Sequence, residues 1–169
     1  MPAPLVDQIL EKVPHVAGLY HRLVLVVASS GGGKTAVLQE VARRVRAPLV
    51  NLNLDLSRRL LDLTPRQRIL QVRDLVEAIL EETHGEIVLL DNIEMLFDAS
   101  LKQDPLRLLQ SVSRNRTVVA AWNGALDEGY LTYAMPDHPE YRRYPADDLI
   151  LVHSGEAPQV TNLRGEAVP

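Results

Sequence analysis

Apolar residues at Leu5, Val6, Ile9, Leu10 and Val13 recur at helical spacing, and Pro14 marks where that first stripe is expected to stop. Arg22 to Val27 is a continuous apolar run behind one cation, the length of a buried strand. Val37, Leu38, Val41, Ala42 and Val45 return to the helical period and end before Pro48. Leu49-Val-Asn-Leu-Asn-Leu54 alternates, which predicts a second strand with one wetter face, followed by a short helical patch over Leu56 to Leu63. Thr64-Pro65-Arg66-Gln67 has the layout of a capping box with proline in the first turn, and the apolar positions 72, 75, 76, 79 and 80 extend that helix toward Gly85. A third strand, Ile87 to Leu90, runs into Asp91. Asp104-Pro105 opens a helix to about Ser113, and strands are expected over Thr117 to Trp122 and Leu149 to Val152.

Strands alternating with helices predict an α/β domain over residues 1–153, with a parallel sheet of about five strands covered on both faces. Residues 1–14 form its N-terminal helix. From Ser154 onward the period is lost, and 154–169 is expected to be a flexible tail.

The chemistry sits between the first strand and the second helix. Ala28-Ser-Ser-Gly-Gly-Gly-Lys-Thr35 is a phosphate-binding loop of the Walker A kind, placed where such a loop belongs. Glycines let successive backbone N–H groups curl around a phosphate chain, and the helix behind them aims its positive end at the same anion. The candidate nucleotide contacts are Ser29, Ser30, Gly31, Gly32, Gly33, Lys34, Thr35 and Ala36. Lys34 would reach the β- and γ-phosphates of ATP, and the Thr35 hydroxyl would ligate Mg²⁺. Ala28 holds the place where the usual pattern begins with glycine, a change tolerable if the strand exit keeps φ negative.

Ile87-Val-Leu-Leu-Asp91 supplies the complementary half, a Walker B pattern with its carboxylate at the C-terminal end of a strand. Asp91 and Thr35 would approach one Mg²⁺ from adjacent strand ends. Asn92 follows where a glutamate usually polarises water, and asparagine cannot accept a proton. The nearest acid is Glu94, either the base itself or a surface residue on the turn into Met95-Leu96-Phe97. Asn123, at the tip of the fourth strand, is a candidate sensor of the γ-phosphate, or one half of an Asn-Gly turn. Arg142 and Arg143 precede the last strand, where an arginine could act as a finger on a neighbouring subunit's site or remain a surface pair.

Composition narrows the rest. The 169 residues carry a formal net charge of −4, no cysteine and five scattered histidines. That excludes disulfides and thiolate metal sites, and argues against autonomous nucleic-acid binding. The apolar runs are too short for a membrane span and no signal peptide stands at the N-terminus, so the cytoplasm is the expected compartment. The arginines cluster at 43, 44 and 46, at 58 and 59, and at 66, 68 and 73, as solvated helix faces or as an edge facing a partner protein or DNA.

Taken in order, these blocks resemble the core of AAA+ and related RecA-like P-loop ATPases over about Leu5 to His153. The resemblance implies that Lys34 and Thr35 serve phosphate and Mg²⁺, Asp91 the metal, Asn123 as first sensor, and Arg142 or Arg143 as finger. No helical lid follows the last strand in this pattern. More narrowly, Val-Val-Ala-Ser-Ser-Gly-Gly-Gly-Lys-Thr35, Leu-Leu-Asp-Asn-Ile-Glu94 and His-Pro-Glu-Tyr-Arg142 resemble the BrxF family of small P-loop proteins in bacterial BREX phage-defence operons. That resemblance implies a role alongside other defence proteins, with DNA met through those partners, and an arginine acting in trans adds the expectation of an ATP-dependent homo-oligomer. Two other readings compete. One is a nucleotide-gated adaptor without catalysis. The other is a small P-loop kinase in which the Tyr130 to Tyr144 segment is the lid.

Overall fold

A computed structural model describes residues 2–29 and 33–153; the tail expected over 154–169 lies outside them. The first helix, α1 (Pro2–Val16), runs past Pro14 instead of stopping there. A proline so near the helix end forfeits only one backbone bond, and burial of Val13 and Val16 on either side holds the last turn in place. β1 (Leu23–Ala28) leads to α2 (Lys34–Val45), and β2 covers only Leu49–Asn51.

The second strand is therefore shorter than its alternation predicts. Asn51 accepts a hydrogen bond from the Leu54 amide through its side chain, which caps α3 (Leu52–Leu60) and turns the chain out of the sheet. Leu52, Leu56 and Leu60 are buried at helical spacing, whereas Leu54 is exposed. The helical patch thus begins four residues earlier than expected and ends before Leu63.

Thr64 caps α4 (Pro65–Glu82) in a complete capping box: the Gln67 amide donates to Thr64 Oγ1 at 3.2 Å, and the Thr64 amide donates to Gln67 Oε1 at 2.9 Å. Replacing Thr64 with alanine removes one acceptor at an exposed helix start, at a cost of about 1 kcal/mol. Thermal melting should fall by roughly 2–4 °C, with nucleotide affinity unchanged.

β3 (Ile87–Asp91), two short 3₁₀ turns over Glu94–Phe97 and Ala99–Leu101, and α5 (Pro105–Val112) follow. β4 (Thr117–Asp127) is longer than the strand expected to end at Trp122. It continues into a hairpin with β5 (Tyr130–Tyr133), which pairs with β6 (Arg142–Pro145), before β7 (Ile150–His153) returns to the main sheet.

The main sheet runs β2-β3-β4-β1-β7, every pair parallel, with the antiparallel β5–β6 extension beyond the end of β1. Two cores lie on its faces. Leu23, Leu25 and Val27 of β1 pack with α3, α4 and α5, while Val24 and Val26 pack with α1 and α2. That alternation is the period-2 signature of a strand buried on both sides. No helix among the described residues is long and apolar enough to cross a membrane.

Candidate functional site

Parallel strands deliver their C-terminal ends to one edge, so the sheet order decides which side chains can meet. Ala28 pairs with Asn123 across β1 and β4, and Asn51 pairs with Asp91 across β2 and β3. β4 lies between β1 and β3, so the phosphate loop and Asp91 do not leave adjacent strands as expected. They meet because α2 crosses the edge: Thr35 Oγ1 donates to Asp91 Oδ2 at 2.6 Å. The backbone amide of Asn92 donates to Asp91 Oδ1 at 3.0 Å, which fixes the other oxygen.

Gly33, with φ of 79°, precedes the first turn of α2 in the left-handed region that glycine enters without penalty. Lys34 starts the helix and folds back toward β1, its Nζ donating to the Ser29 carbonyl at 2.7 Å and to the Ala28 carbonyl at 3.3 Å. Only 7% of Lys34 is exposed. Burial pulls its pKa down, and the carboxylates of Glu94 and Asp91 push it back up. Ala36 lies in the exposed first turn of α2. Ser30, Gly31 and Gly32 lie outside the described residues.

Asn92 takes φ of 54°, a left-handed conformation that asparagine tolerates better than most residues, and its carbonyl accepts from the Asn53 amide at 2.8 Å. This turn swings the chain so that Glu94 faces the strand ends. Glu94 Oε1 accepts a very short hydrogen bond from Asn123 Nδ2, and Oε2 accepts from Asn53 Nδ2 at 3.2 Å. Asn53 Oδ1 in turn accepts from the Met95 amide at 2.9 Å. Two amides on different elements thus hold one carboxylate, and Asn123 lies within a strand, not in a turn. Asn53 is the member that sequence reasoning missed. Its only local signal is a polar residue flanked by leucines just after a short strand.

The structure does not bring Arg142 and Arg143 to this cluster. Both lie on β6; Arg142 Nη2 donates to the Gln103 carbonyl at 2.9 Å, and the Arg143 guanidinium lies 3.4 Å from the centre of the Tyr130 ring. Among the described residues neither pairs with a carboxylate.

The donor set fits a hard divalent ion bound mainly by its substrate. One hydroxyl and one carboxylate stand in contact, and among the described residues there is no cluster of three or more His, Cys, Asp or Glu able to hold a metal. Mg²⁺ is commonly held by one or two such ligands, with phosphate oxygens and waters completing the octahedron. A strand end, a glycine at positive φ, a buried lysine on a helix start and a facing carboxylate thus stand together at one edge of the α/β sheet.

No family model and no curated protein matches the chain. Among solved structures it is similar to a DNA replication initiation factor, at 16% identity over 68% of this chain and 36% of that one, with a TM-score of 0.44. It is also similar to PCH-2 of C. elegans, at 18% identity over 75% of this chain and 37% of that one, with a TM-score of 0.39. The chain therefore spans little more than a third of either.

Proposed function

We propose that this protein binds ATP with Mg²⁺, hydrolyses it slowly alone and faster when assembled, and passes its nucleotide state to partner proteins. The observation that carries the reading is the 2.6 Å contact between Thr35 and Asp91, made beside a buried lysine ammonium. Hydroxyl, carboxylate and ammonium are the three groups a metal–triphosphate needs. When bound, Mg²⁺ supplies charge neutralisation across the phosphate oxygens. Lys34 balances the charge of the terminal phosphates, and the α2 start directs its amides at them. Glu94 accepts the proton of the attacking water, and the Asn53 and Asn123 amides keep its carboxylate oriented.

Assembly and the biological setting extend the proposal. Arg142 and Arg143 lie on β6, the last strand of the antiparallel extension, and in a homo-oligomer one of them would leave its present contact to reach a neighbour's phosphates. Sedimentation should show ATP-dependent self-association. Changing both arginines to alanine should lower turnover by about a thousandfold, in line with the removal of an arginine finger, while nucleotide affinity stays the same. A protein that remains monomeric with ATP at every concentration overturns the assembly reading. The defence role, in a BREX-type system with DNA met through partners, rests on the resemblance of three sequence blocks to the BrxF family. Phage plating on cells carrying the operon with a Lys34→Ala allele tests it; undiminished protection would remove this role.

A further inference from the structure

Beside the Lys34, Thr35 and Asp91 cluster is a second space of about 670 Å³, whose described lining runs from Ser29, Glu94 and Asn123 to the base of the β4–β5 hairpin and the loop after β5. Lys34, Thr35 and Asp91 are not on its wall. It adjoins the candidate phosphate site and shares Ser29, Glu94 and Asn123 with it, and its volume is that of a pocket for a whole small ligand.

Its chemistry is lopsided. Gly124, Ala125, Ala134, Met135 and the ring of Tyr133 make an apolar wall. The charged groups on the described lining are the Glu94 and Glu140 carboxylates, and the His138 Nδ1 is taken up by the Glu140 amide at 3.0 Å. Among the described lining residues none is lysine or arginine. Tyr133 reports the resulting negative field: its hydroxyl is pushed up to about 12 by burial first, then by Glu140 and Glu94. An anion entering here would face two carboxylates with no lysine or arginine on the described lining to offset them. A cation would gain two partners and an aromatic ring.

We propose that this cavity is a binding site for an organic cation, a primary amine or guanidinium on an apolar stem. The stem lies against Ala125, Met135 and Tyr133, and the head pairs with Glu140 while Glu94 adds to the field. Backbone bonds hold the loop that presents Glu140, since the Met135 and His138 carbonyls accept from the His138 and Tyr141 amides at 2.8 and 3.0 Å. Such a group could be a free amine or the side chain of another protein. Either would sit beside the base proposed for hydrolysis, yet the site itself does not need a nucleotide.

Trp122 makes the test direct. It is the chain's single tryptophan, and its Nε1–H donates to the carbonyl of Thr132, a wall residue, at 3.0 Å. Its one indole N–H resonance should shift on titrating agmatine into the protein without nucleotide. Inorganic phosphate should leave it in place. Glu140→Gln, a change on an exposed loop, should weaken agmatine by roughly fivefold. Ala125→Leu, which fills the cavity from an exposed strand position, should weaken it further. Tighter binding of agmatine than of a short blocked arginine peptide points to a free amine, and the reverse order to a protein side chain. An unmoved resonance with both cations, a shift with phosphate alone, or an agmatine affinity indifferent to both substitutions overturns the proposal. Because nucleotide is absent throughout, the result is separate from the fate of the ATPase reading.

Discussion

Lys34→Ala is expected to remove ATP binding while leaving the fold intact. The Lys34 ammonium donates to the Ala28 and Ser29 carbonyls, and bound phosphate would replace those acceptors. Charge-assisted hydrogen bonds of this kind contribute about 1.5–3 kcal/mol each. Losing two at the terminal phosphates should weaken affinity by roughly two to four orders of magnitude. Calorimetry should then show no measurable heat where the unaltered protein gives a saturable isotherm. Stability moves the other way or not at all, because burial already disfavours the charged lysine, as its lowered pKa records. A melting temperature that holds while binding disappears separates a ligand contact from a structural one. Unchanged ATP affinity would mean that the loop is merely a glycine-rich turn before a helix.

The parts of the candidate site legible in the sequence are those with local causes. The Ala28 to Thr35 pattern is a run of adjacent residues, and Asp91 sits at the end of an apolar run. The capping box at Thr64 is likewise contained in four residues and forms as its pattern demands. Leu49 to Leu54 misled because leucines at 49, 52, 54 and 56 serve a strand or a helix alike, and Asn51 decides between them by capping. The hairpin was hidden for a different reason. Asn123-Gly124 reads as a turn, yet the turn is at Glu128 and Gly129, with φ of 49° and 83°, the mirror-image geometry that two-residue hairpins favour. Gly124 is needed for contact instead: a Cβ there would lie 1.9 Å from the Thr132 carbonyl oxygen and 2.8 Å from Trp122 Nε1. Phe97 stacks on Tyr133 with ring centres 3.5 Å apart and meets Trp122 edge-on at 5.0 Å, so the hairpin is fixed by rings remote in sequence. No local pattern could have announced that, nor the pairing of Asn53 with Asn123 about Glu94.

That pairing sets the second large effect. Glu94→Gln should reduce turnover by roughly a hundredfold to ten-thousandfold, the range for loss of a general base, while ATP affinity stays within a few fold. The substitution conserves shape but not acceptor count. The carboxylate takes one bond from each of two amide donors, whereas a glutamine offers one acceptor and must confront the other donor with its own NH₂. One hydrogen bond at a partly buried site is lost, a modest cost of about 1 kcal/mol that should leave the fold standing. The decisive comparison is therefore turnover at saturating ATP against affinity, measured on the same preparation by phosphate release and calorimetry. If turnover is unaffected, the carboxylate is a strut between β4 and the turn after β3, and water is activated elsewhere. If neither protein turns over in any oligomer while ATP still raises the melting temperature of both, the reading changes to a nucleotide-gated adaptor, stabilised by ligand in proportion to concentration over Kd. A split between lost turnover and retained binding leaves the base as the only role for Glu94 that fits both measurements.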